Sequence, residues 1–194
     1  MIRPLVAALS LALFATSAHS AEWSLVNVIE TPADTPDALR TGIRTGEIGG
    51  ANINRFGFYS DLAYDRNAGH WVALSDRGPG GGVLDYATRL QRITIPVDLA
   101  TGIIGQPSID RTILFKDAEG RLLNGLNPYL LNGDKSQLGA SFDPEGLALG
   151  RLGSVYVADE YGPALHEFDR SGLLRRTFTM PANLRPREAS GLSN

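Results

Sequence analysis

Two stretches of this chain repeat one another, and the repeat limits the folds open to it more than any other feature. Ser60-Asp61-Leu62-Ala63-Tyr64, then Gly69, Trp71 to Asp76 and Gly78-Pro79, recurs in order with one-residue adjustments. The second copy is Glu145-Gly146-Leu147-Ala148-Leu149, then Gly153, Ser154 to Asp159 and Gly162-Pro163. A third start stands at Ser190-Gly191-Leu192-Ser193. Leu62 to Leu147 is 85 residues and Leu147 to Leu192 is 45. A four-stranded propeller blade runs roughly 40–50 residues. The spacing therefore predicts one blade per period, with an irregular unit between the first two copies.

The local pattern agrees with an all-β chain. Short runs of strand character lie between frequent glycines and prolines: Trp71 to Ser75, Leu90 to Ile95, Thr112 to Phe115, Gly146 to Leu149, Ser154 to Ala158, Ala164 to Phe168 and Leu174 to Thr179. Such spacing fits a sandwich, a barrel or a propeller, and the repeat selects a β-propeller of four-stranded blades. Asp169-Arg170-Ser171-Gly172 has the Asp and Gly of a tight hairpin turn. A short helix is expected near Asp37-Ala38-Leu39-Arg40. The chain reaches Asn194 just after the third copy opens, and two or three blades do not close a ring. The sequence thus reads as the N-terminal portion of a six- or seven-bladed propeller whose further blades belong to the working protein. Pairing between chains is the other way to close it. An open ring exposes strand edges and predicts poor solubility for the isolated piece.

Residues 1–20 have the three-part layout of an export signal. Arg3 supplies the charge, Leu5 to Ala15 the apolar run of eleven residues, and Ala18-His19-Ser20 the small residues before cleavage. Eleven apolar residues fall short of the roughly 20 needed to span a bilayer. Residues 21–194 form the expected domain, placed in the periplasm or outside the cell, with no membrane contact in the mature form. Loss of the signal removes Arg3 and leaves a net charge of −4, which gives no footprint for nucleic acid. With no cysteine, disulfides, thiolate ligands and thiol nucleophiles are excluded.

Antiparallel pairing places the residue before a blade's first strand beside the residue after its second. That brings Ser60-Asp61 to Asp76-Arg77, and Glu145 to Asp159-Glu160, on one rim. Clustered carboxylates suit a hard cation such as Ca²⁺, which takes several oxygen ligands. An adjacent arginine suits a phosphate or carboxylate. Asp76, Glu145, Asp159 and Glu160 are the expected metal ligands. Glu145, Asp159 and Arg77 are the expected groups for proton transfer and anion binding. Each has a structural alternative: Asp76 and Asp159 precede Gly-Pro turns and can cap them, Arg77 can sit in a surface ion pair, and Tyr161 can simply pack. Other chemistries lack their residues. No Gly-x-Ser-x-Gly elbow is present. After the signal only His70, read as a turn residue, and His166, in a strand, remain, too few for a zinc site or a Ser-His-Asp triad. Gly78 to Gly82 reads as a loop between strands rather than a phosphate cradle.

Three motifs carry a family resemblance. Ala73-Leu74-Ser75-Asp76-Arg77-Gly78-Pro79, Phe142-Asp143-Pro144-Glu145-Gly146-Leu147-Ala148, and Val157-Ala158-Asp159-Glu160-Tyr161-Gly162-Pro163 with Leu165 to Gly172 together span most of Ile53 to Asn194. In combination they resemble the phytase-like propellers known as "esterase-like activity of phytase". The resemblance implies an exported, metal-dependent hydrolase of phosphomonoesters or related carboxylic esters, acting on a small molecule. The alternatives are a non-catalytic propeller module that binds through its rim and a calcium-dependent, lactonase-like propeller. Two departures from the repeat stand out: Asp61 where glycine is expected from Gly146, and Ser190 where the second copy has Glu145.

Overall fold

The computed structural model describes residues 23–32, 34–39, 47–48, 51–128 and 140–184. The expected signal and the third repeat start lie outside them. Strands β1 (Glu47–Ile48) and β2 (Ala51–Asn52) form a small antiparallel pair. The next four strands are β3 (Tyr59–Asp65), β4 (His70–Ser75), β5 (Arg89–Thr94) and β6 (Ser108–Leu114). They pair in sequence order as one antiparallel sheet. Four more, β7 (Pro144–Leu149), β8 (Val155–Asp159), β9 (Ala164–Phe168) and β10 (Leu174–Thr179), make a second sheet of the same kind. The fold is all-β, with two open four-stranded sheets among the described residues.

Alternation along β5 shows how one strand serves two environments. Leu90 points into the apolar layer between the sheets. Arg89 and Gln91, equally buried, point the other way, towards the N-terminal segment. There Arg89 donates to Asp37 Oδ2 at 2.7 Å and to Asn54 Oδ1 at 2.9 Å. Its guanidinium lies 4.1 Å from the Tyr86 ring centroid. A buried charge persists only when it is paired and hydrogen-bonded, and both conditions are met. Asp37 Oδ1 also caps the amide of Leu39 at 2.7 Å. The expected helix at Asp37 is therefore absent from the described residues: Pro36 bridges Arg55, and Asp37 is drawn inward by Arg89.

The layer between the sheets is built from Leu74, Leu90, Phe115, Leu123, Phe142, Val155, Val157 and Phe168. Phe115 lies 4.4 Å from Phe168 and 5.5 Å from Phe142, the latter edge-on. Aromatic pairs of this kind add about 0.5–1.5 kcal/mol each beyond the area they bury. Backbone joins the sheets as well. Lys116 donates to Gly172 O at 2.8 Å and accepts from the Leu174 amide at 2.9 Å. Phe142 donates to Asn124 O at 2.8 Å.

The repeat is real, but its register differs from the sequence reading. Tyr59 pairs with Ser75 and Pro144 with Asp159, each followed by a bulge at the next residue. Ser60 and Glu145 thus occupy the same bulge position, whereas Ser75 matches Asp159 and Asp76 matches Glu160. The chain between the copies holds the rest of the first sheet and long connections; among the described residues it holds no further sheet. His70 opens β4 rather than lying in the turn. The departure at Asp61 has a structural cause: its Oδ2 accepts the amide of Leu147 at 2.7 Å, tying the two first strands together.

Two hairpin glycines allow a prediction. Gly69 and Gly172 both have φ in the left-handed region (72° and 80°). A Cβ on Gly69 meets nothing within 4 Å, but one on Gly172 would lie 2.2 Å from Leu114 O. Gly69→Ala should cost only the backbone strain, about 1 kcal/mol. Gly172→Ala should cost clearly more, about 3 kcal/mol or above, because the sheets must part. Denaturant midpoints of the full-length protein check this; equal losses would show that the close approach is unimportant.

Candidate functional site

At one end of the two sheets three carboxylates converge. Asp76 follows β4 directly, Asp143 precedes β7, and Glu145 occupies the β7 bulge. One oxygen from each lies within 4.8 Å of the others. Hydrophobic anchoring puts them there. Leu74, two residues before Asp76, and Phe142, next to Asp143, are both in the core layer. The bulge turns Glu145 outward, and it is exposed.

Asp143 is fully buried. Its Oδ2 accepts from Arg77 Nη1 at 2.7 Å. Its Oδ1 is buried with no hydrogen-bond partner. As ionised groups Asp76 and Asp143 have no proton to share, so this oxygen calls for a proton, a water or a cation. Burial, then a hydrogen bond shared with Asp76, then the charges of Asp76 and Glu145 push the Asp143 carboxyl up to about 7, against the pull of Arg77. Glu145 is also shifted upward, by desolvation first and then by Asp76 and Glu160.

Arg77 sits over this cluster. Its backbone amide is capped by Asp76 Oδ1. Its Nε is 3.8 Å from the same carboxylate, and its guanidinium is 5.9 Å from the Tyr161 ring centroid. The Tyr161 hydroxyl is the largest influence holding Arg77 above its usual range. Gly125 packs so close beneath that an added Cβ would lie 1.9 Å from Arg77 O.

The structure brings Asp76 and Glu145, from different sheets, into one group with Arg77 beside them. Asp159 is a correction: it stands outside the three-carboxylate group. Its Oδ1 is occupied by the amides of Asp143 at 3.0 Å and Tyr161 at 3.1 Å, and its Oδ2 lies 3.7 Å from His166 Nε2. It caps a turn and positions Asp143. Glu160 is exposed at the border, donates its amide to Asp143 O at 3.0 Å, and reaches the cluster through Glu145. Asp143 lies in the second motif but is not among the ligands expected from the sequence, since residue type does not reveal its burial. The available signal was its position one residue after a phenylalanine and two before Glu145.

The Asp143 shift sets a pH dependence. Its folded pKa lies above its unfolded value, so between about pH 4 and pH 7 the unfolded state ionises first and this group's contribution to stability falls as pH rises. With cations removed by chelator, wild type should lose stability relative to Asp143→Asn across that window. Parallel denaturation midpoints for the two proteins at pH 4, 5.5 and 7.5 would rule this out.

Comparison with known proteins places these features in context. An uncharacterized secreted protein of Arthroderma benhamiae is 28% identical over 166 residues, covering 69% of this chain and 32% of that relative. The chain thus spans about a third of the relative's length. No solved structure matches. Among the described residues no helix is long and apolar enough to cross a membrane. The model of the phytase-like family, described as esterase-like activity of phytase, matches residues 54–194. That span contains both four-stranded sheets and all three converging carboxylates, and the chain belongs to this phytase-like family.

Proposed function

We propose that the protein is an exported hydrolase of phosphomonoesters or related esters, working with a hard cation held by Asp76, Asp143 and Glu145. The observation that carries this reading is the buried, donorless Asp143 Oδ1 within reach of two further carboxylates. All-oxygen donors of this charge fit Ca²⁺. Bound there, such an ion would polarise an ester or phosphoryl oxygen and acidify a water. The chain's own groups would supply the rest. Arg77, about one-third exposed, faces the cluster and would hold the substrate anion by paired hydrogen bonds. Glu145, exposed and with its proton affinity raised, would move a proton at its carboxylate. Asp159 would keep Asp143 in place through the backbone. The two in-order sheets, with β3 tied to β7, support reading each sheet as a propeller blade.

A second reading is a non-catalytic binding module. It is favoured by the ion pair that commits Arg77 to Asp143. A lactonase-like propeller is the third.

These separate in one set of assays on the full-length protein, with a phosphomonoester, a carboxylic ester and a lactone, each with Ca²⁺ and with chelator. Calcium-dependent turnover of one substrate is expected. Glu145→Gln should lower it about 10²–10⁴-fold without changing the melting temperature. Asp143→Asn should weaken Ca²⁺ binding measured by titration calorimetry. A folded protein that binds Ca²⁺ but turns over none of the three would favour the binding module. Unchanged Ca²⁺ affinity in Asp143→Asn would remove the cation site.

A further inference from the structure

We infer that the opposite end of the two sheets holds a second ligand site, built for a small carboxylate with a compact apolar body. A cavity of about 180 Å³ opens there between the β3–β4 and β7–β8 hairpins, lined by residues of both sheets. Six-residue strands separate it from the acidic cluster by on the order of 15–20 Å. It shares no residue with that cluster.

The floor is apolar. Leu90 and Val155 belong to the core layer between the sheets, and Ile113 and Leu149 pack against it. The rim is charged and unbalanced. Three arginines (Arg92, Arg111 and Arg170) line it against two aspartates (Asp65 and Asp169), leaving one net positive charge. Both aspartates are already engaged. Asp65 Oδ1 caps the amides of Asn67 and Ala68. Asp169 accepts the amides of Ser171 and Leu173 and is paired with Arg175 at 2.6 Å.

Of the arginines, Arg92 is held by Asp110 at 2.5 Å, while Arg111 and Arg170 have no ion pair among the described residues. Arg111 is moreover the direct cross-strand partner of Arg92. Like charges in that position repel. An anion between Arg111 and Arg170 would relieve this repulsion and gain charge-assisted hydrogen bonds. One surplus charge and an apolar floor favour a monoanion with apolar atoms behind it; a dianion would be costlier to desolvate and would face the two aspartates. The volume suits a small organic acid, below the roughly 300–1,000 Å³ of clefts that take larger ligands.

The test is titration calorimetry on the full-length protein with three probes: benzoate, which has charge and body; acetate, which has charge alone; and benzyl alcohol, which has body alone. Saturable benzoate binding at one site is expected, with acetate and benzyl alcohol each at least about tenfold weaker, since a charge-assisted contact or a buried ring is worth more than 1.4 kcal/mol. Arg111→Gln and Arg170→Gln should each weaken benzoate about tenfold. Arg111→Gln should hold or raise the melting temperature, because it ends the repulsion with Arg92. Val72→Phe, which fills the cavity from β4, should also reduce binding. Glu145→Gln should leave benzoate binding unchanged. The proposal is overturned if the folded protein does not bind benzoate saturably, if acetate binds as well as benzoate, if both arginine variants bind normally, or if Glu145→Gln abolishes binding.

Discussion

Phe115, Phe142 and Phe168 meet between the two sheets, and the position of every rim group follows from that contact. Phe115 comes from the end of the first sheet, Phe142 from the approach to the second, and Phe168 from its third strand. Because Phe142 is locked into this layer, Asp143 has no freedom to swing into water. Because Leu74 is locked on the other side, Asp76 emerges beside it. Three carboxylates near one arginine are electrostatically unfavourable in isolation. The apolar layer holds them together.

The first sheet has a second, polar inner face. Arg89, Gln91 and Asp37 form a buried network on the side of β5 away from the phenylalanines, and Tyr59 joins it through Gln91. It clamps the segment around Asp37 against the sheet. Removing one partner of such a buried pair leaves an uncompensated charge, a far larger cost than loss of a surface bridge. The strand is therefore covered on both sides, by apolar atoms on one and by a satisfied polar set on the other.

Much of this was legible from the residues. The strands Ala164–Phe168 and Leu174–Thr179 fall where their pattern placed them, and the Asp169–Gly172 turn forms through the capping its residues predict. Antiparallel pairing put Asp76-Arg77 and Glu145 on one rim; the contact between Asp76 and Glu145 itself depends on how the two sheets pack. What was not legible depended on distant partners. Asp37 was read from its helical neighbours, but Arg89, fifty-two positions away in sequence, decides its conformation. Asp159 falls outside the cluster because the bulge at Glu145 sets it opposite Pro144. Neither the bulge nor the burial that perturbs Asp143 is encoded in residue type.

That shared bulge has a consequence for how a repeated scaffold becomes specialised. Ser60 and Glu145 stand at equivalent points of two near-copies, yet they are used differently. Ser60 Oγ donates to Pro144 O at 2.5 Å, so its polarity is consumed in bracing the neighbouring copy. Glu145, at the same point one copy later, is left facing solvent. One unit acts as a buttress and the next as the open edge of the acidic cluster. Symmetry in the backbone thus coexists with a division of labour in the side chains, and exchanging the two residues would disturb both the support and the surface that it supports.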